Sequence, residues 1–192
     1  MLGGINICKI GEDWPMHNDI PLSPLIQINV AELPFVPKFL EGLKYLVIFI
    51  LNEEAIDYYG SNDTNLLVRT YADEDISYLS TPAEINITPR IIAYERQLDF
   101  PTYDDTPAGV RENLKKYNPE FGEESSLQPI VNDKLLGWPF WCQSSELYSF
   151  KDAKFILQIS DYDDDWLVGD CSTLYIFKCL KTNKYFSTIQ MY

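Results

Sequence analysis

The chain has 192 residues, 46% of them hydrophobic and 14% aromatic, which suits one domain or two small ones and excludes general disorder. Twenty-nine acids against fifteen bases give a net charge of −14, so nucleic acid and anionic membrane surfaces are poor partners. No apolar run reaches the roughly 20 residues needed to cross a bilayer, and the start, MLGGINICKIGEDWP, lacks the basic-then-apolar pattern of a secretion signal. The expectation is a cytoplasmic protein.

In chain order, strands are predicted at 25–30 (LIQINV), 43–51 (LKYLVIFIL), 66–71 (LLVRTY) and 85–98. Pro89 interrupts the last of these and marks an edge or a break. A short, weak helix is read at 36–40. Thr106-Pro107 is the start signal for a helix over AGVRENLKKY, with the hydroxyl as N-cap and Asn118-Pro119 as the stop. Val110, Leu114 and Tyr117 are spaced for one apolar face. Strands follow at 155–160, 173–179 and 185–190, rich in β-branched and aromatic residues. Segments 52–65 and 118–134 are polar and read as loops.

An internal echo runs through the chain. Trp14-Pro15, LIQIN (25–29), Gly42 and LKYLVIF are answered by Trp138-Pro139, ILQIS (156–160), Gly169 and STLYIFK. The pattern predicts one domain over 1–192 with pseudo-repeats at about 1–51 and 134–180, built from a duplicated strand-loop-strand unit. Gln27 and Gln158 sit at matching places between apolar neighbours. A buried amide needs partners, so each is expected to bond nearby backbone.

The acids are unevenly spread. Residues 51–84 hold eight acids and one base, Arg69, and residues 161–170 hold five acids and no base, so the two carry −12 of the −14. Solubility is the plain reading; steering of a basic protein partner is the sharper one. On the second reading the candidate partner-binding residues are Asp161, Asp163, Asp164, Asp165, Glu53, Glu54, Asp57, Asp73, Glu74 and Asp75, with Trp141 as an aromatic anchor. The alternative for Trp141 is a ring covering the core of the second repeat.

Asp161, Asp163 and Asp165 match the first ligand positions of a calcium loop. Trp166 stands where the turn needs Gly, and Ser172 where a bidentate Glu belongs, so the segment is not an EF-hand. A looser Ca²⁺ or Mg²⁺ site stays open. A single histidine, His17, and four cysteines without a CxxC pair disfavour zinc. Neither a GxSxG elbow nor a phosphate-binding glycine loop is present. The reading therefore leans away from an enzyme and requires no cofactor. A divalent-metal or small-ligand binder, or a carboxylate-based hydrolase, is the alternative.

The ordered set of LGG (2–4), Trp14-Pro15, PLIQINVAELP (24–34), KLLGWP (134–139), ILQISD (156–161) and W…GD…LYIF (166–177) resembles the YwqG-like family, a bacterial domain family largely of unknown function. Its members often carry a histidine before the LLG(Y/W)P motif, where this chain has Asp133. The resemblance implies an α+β fold, mainly antiparallel β with a duplicated core and few helices. It implies no established activity. Because such families sometimes sit near bacterial toxin systems, it also suggests an immunity or antitoxin role against a basic toxin.

Overall fold

The computed structural model describes residues 1–51, 66–72, 76–102, 105–106, 108–117, 130–145, 152–160 and 172–191. They fall into two units, one holding the described residues through Gln97 and the other those from Leu98 on. The architecture is α+β, mainly antiparallel β, with one α-helix among the described residues.

The first unit contains β1 (Ile7–Lys9), a small hairpin of β2 (Met16–His17) and β3 (Ile20–Pro21), then β4 (Ser23–Asn29), β5 (Tyr45–Ile50), β6 (Leu66–Tyr71) and β7 (Ile76–Tyr78). β5 is central in an antiparallel β4-β5-β6 sheet, and β1 pairs with β7. Five of the six β5 residues are buried, because side chains on both faces meet protein. That explains why LVIFI reads as a continuous apolar run instead of alternating. Ile5, Ile7, Val47, Phe49 and Tyr71 form the core, with Trp14 edge-on to Phe49 at 5.3 Å between ring centroids.

The second unit contains α1 (Ala108–Tyr117), β8 (Lys134–Leu135), β9 (Ala153–Ser160), β10 (Ser172–Cys179) and β11 (Tyr185–Met191). Its sheet runs β11-β10-β9-β8, antiparallel throughout. Trp141, Phe155, Tyr175 and Phe177 pack as an aromatic core.

The two units repeat one local design. In the first, Leu2 bridges Ile26 and the Gly3 amide donates to the Leu25 carbonyl at 2.8 Å. In the second, Leu135 pairs with Leu157 and the Leu136 amide donates to the Ile156 carbonyl at 2.8 Å. Gly3 (φ 66°) and Leu136 (φ 67°) share the left-handed conformation that makes this turn. For a leucine it costs about 1–2 kcal/mol. Each β4 or β9 strand has a bulge at the same place. Pairing passes from Ile26↔Ile48 to Pro24↔Phe49, omitting Leu25, and from Leu157↔Ile176 to Phe155↔Phe177, omitting Ile156.

Three readings of the chain need correction or refinement. Residues 85–98 do not form a strand; within them only Arg90 makes a bridge, to Leu2. Pro89 removes a ladder donor, and Ile91 and Leu98 project into solvent and find no sheet face to cover. The helix read at 36–40 is a single 3₁₀ turn, Lys38–Leu40, entered from Pro37. Finally, Trp14-Pro15 and Trp138-Pro139 are not structural counterparts. By hydrogen bonding, LGG at 2–4 matches LLG at 135–137, which aligns Ile5-Asn6 with Trp138-Pro139. The ring that plays the part of Trp14 is Trp141, which stacks on Phe177 as Trp14 packs on Phe49.

Candidate functional site

The acids singled out from the sequence, Glu53, Glu54, Asp57, Asp73, Glu74, Asp75, Asp161, Asp163, Asp164 and Asp165, lie outside the described residues. Ser160 ends β9, and Thr173, its partner across the ladder, lies at the start of β10. Trp141 is described and is 7% exposed. Its ring lies 4.8 Å from Tyr175 and 6.0 Å from Phe177 between centroids. Its indole N–H donates to both oxygens of Asp105, at 3.2 and 2.9 Å, and the Ser145 hydroxyl donates to the same carboxylate. Trp141 therefore covers the core of the second unit.

A polar network fills the region around β9 and β10. Gln158 is fully buried; its carbonyl accepts from the Phe140 amide at 2.8 Å and its NH₂ donates to Val131 O at 2.7 Å. Gln27 does the parallel work in the first unit, accepting from the Asn6 and Ile7 amides at 3.0 Å each. Both glutamines thus bond backbone, as expected of amides flanked by apolar residues. The Tyr175 hydroxyl donates to Phe140 O at 2.5 Å and lies 3.3 Å from the Cys142 sulfur. Burial pushes the Tyr175 phenol well above its ordinary range, so it stays a neutral donor. Cys142 Sγ is 3.1 Å from the Thr173 hydroxyl, which reaches Ser160 Oγ at 3.4 Å. Asp133 accepts from the Ser160 amide at 2.8 Å and so caps the end of β9.

A second locus lies under the LLGWP turn. Asp99 accepts from the Ile130 amide at 2.8 Å, the Trp138 amide at 2.7 Å and Lys134 Nζ at 3.1 Å. The side chains of Lys134 and Asp99 are 7% and 10% exposed. Burial lowers the Lys134 pKa, and the Asp99 charge opposes that shift. Gly137, at φ 86°, is obligatory because a Cβ there would stand 2.1 Å from Asp99 Oδ2. Sequence reading missed Asp99 and Asp105. A signal was available for the first, a lone carboxylate between Leu98 and Phe100.

In the first unit, Glu12 Oε2 accepts from the Lys9 amide at 2.9 Å and the Tyr71 hydroxyl at 2.7 Å, with Arg69 at 3.8 Å. Arg69 also donates to Asp13 O at 3.2 Å and lies over the Phe49 ring, 5.6 Å from its centroid. These contacts pin the chain between β1 and β2 onto the sheet. Among the described residues, no group of three or more His, Cys, Asp and Glu is arranged to hold a metal ion. None of the described helices is long and apolar enough to cross a membrane.

A family model for a domain of unknown function (DUF1963) matches residues 1–185, and the chain belongs to that family. No curated protein matches it.

Proposed function

We propose that the protein is a non-catalytic protein-binding module, YwqG-like in kind, that captures a basic protein; its most concrete form is an immunity or antitoxin role against a cationic bacterial toxin. The observation that carries this reading is the charge distribution, with −12 of the −14 placed in segments 51–84 and 161–170. Dense charge of one sign raises the association rate of an oppositely charged protein by steering. The described polar groups support the reading in a second way. Gln158, Asp99, Asp105, Glu12 and Asp133 are all engaged with their own scaffold, which suits a rigid platform. The same acid surplus opposes binding to nucleic acid and to anionic membranes, and the expected location is the cytoplasm.

The test is capture of a basic protein from the native host, followed by its association rate with the purified chain over a salt series. A rate that falls steeply with salt supports the reading. Absence of a partner, or a rate indifferent to salt, overturns it. So does micromolar Ca²⁺ or Mg²⁺ binding by calorimetry that disappears in Asp163→Asn/Asp165→Asn, which would favour a metal site.

A further inference from the structure

The β2–β3 hairpin has no part in either polar network. Residues Met16 to Ile20 are all exposed, and neither strand pairs with any other described strand. Its base is nevertheless fixed. The Leu22 amide donates to Pro15 O at 3.0 Å, and the Trp14 indole donates to Leu22 O at 2.9 Å. Pro15 and Leu22 are buried. The tip is a two-residue turn with both residues left-handed, Asn18 at φ 49° and Asp19 at φ 65°, the conformation that matches the twist of a tight hairpin.

The finger carries apolar and acidic side chains together, with His17 beside Ile20. Directly opposed residues share a face, so Met16 and Pro21 stand on one side and His17 and Ile20 on the other. Met16 is 54% exposed and Ile20 49%, one apolar residue on each face. Exposed Asp13 and Asp19 bracket them at base and tip. A projection with a fixed base, one exposed apolar residue on each face and an acid at each end is complementary to an apolar groove with a basic rim.

We infer that the β2–β3 hairpin is the anchor by which the chain holds a cationic protein, Met16 and Ile20 entering an apolar groove while Asp13 and Asp19 meet the basic rim. This rests on the reading of a basic partner given above and adds where that partner is gripped. Steering by the acidic segments governs the approach, and the hairpin governs residence. Because the base is fixed, little ordering cost is left for binding. Met suits the task because its flexible thioether adapts to an irregular groove.

The experiment places a photo-cross-linking amino acid at position 16, at 20, or at the exposed control Leu180, in the full chain. The cross-linked basic protein is identified, purified and used as the probe. Its affinity is then measured for the native chain and for Met16→Ser/Ile20→Ser at about 50 and 300 mM salt. The expected result is cross-linking from 16 and 20 but not from 180. The double variant should bind roughly 10- to 100-fold more weakly, with the same salt dependence, since no charge has changed, and with an unchanged thermal midpoint. Equal affinity of variant and native chain overturns the hairpin anchor and leaves the basic partner standing. Cross-links that join only two copies of this chain overturn it in favour of self-association. A native chain that holds no basic protein at either salt overturns the partner reading and the anchor together.

Discussion

Asp99→Ala removes a carboxylate that three donors share in a nearly dry place. The Ile130 and Trp138 amides lose their acceptor, and Lys134, 7% exposed, loses its counter-charge. Breaking a buried ion pair from one side costs about 3–5 kcal/mol. Two orphaned amides would add about 1–3 kcal/mol each if they stayed dry, but all three losses share one cavity and do not add. The expected destabilisation is about 4 kcal/mol, read from urea unfolding followed by tryptophan fluorescence. The deficit should also depend on pH. Lys134 is charged in the unfolded chain up to its ordinary pKa of 10.5, while burial holds its folded value lower. Within that window the unfolded state binds the extra proton, so stability rises with pH. Without Asp99 the folded value falls further and the window widens downward. The gap between variant and native protein should therefore narrow as pH rises from about 7 towards 10, as Lys134 sheds its proton. Asp99→Leu/Lys134→Met, which removes both charges, should be clearly more stable than Asp99→Ala. A loss under about 1 kcal/mol, a pH-independent gap, or a double variant no better than the single would refute the argument.

Two other outcomes follow from the described geometry. Gly137→Ala and Gly11→Ala share nearly the same backbone, φ 86° and 85°, but a Cβ at 137 meets Asp99 while one at 11 meets nothing within 4 Å; chemical denaturation should show a cost of about 1 kcal/mol at 11 and several-fold more at 137. Alkaline stability should decline as pH passes the ordinary tyrosine value of 10. There the unfolded chain ionises Tyr175 and Tyr71 while burial keeps the folded phenols neutral, so the loss starts at the unfolded pKa; a pH series of thermal melts that shows no such decline between about 9 and 11 would count against this placement of the two hydroxyls.

Much of the sheet was legible because its strands are long enough to carry a pattern. LLVRTY became β6 with the bounds expected, and AGVRENLKKY became α1. The strands that escaped notice are two or three residues long, β1, β2, β3, β7 and β8, and their pairing is decided by distant partners rather than local composition. Thr106 stands just before the helix as its start signal required, and its hydroxyl donates to Thr102 O at 2.9 Å. The polar loci were harder still. Asp99 is joined to Lys134, 35 residues away, and Trp141 to Asp105, 36 away. No periodicity encodes a pair at that separation.

The mismatch of the two Trp-Pro pairs has a physical cause. Trp-Pro is a conspicuous pair, so it attracts a match between 14–15 and 138–139. What the two units share mechanically is less visible: a left-handed residue whose amide reaches the bulged strand, and a glutamine that accepts an amide from the returning chain. Gly3 fills the left-handed position at no steric cost, whereas Leu136 fills it under strain. Among the described residues, only the second unit places a buried ion pair directly beneath that turn, with Asp99 binding residues on both sides of Leu136 through Lys134 Nζ and the Trp138 amide. The Asp99 contacts thus offset a strain that the first unit avoids with glycine. Because the strain is local to the backbone, Leu136→Gly should change stability by the same amount, within about 0.5 kcal/mol, in the native and the Asp99→Ala backgrounds, as read by urea unfolding. A clear difference between the two backgrounds would refute this local account and show that Asp99 acts on the turn itself.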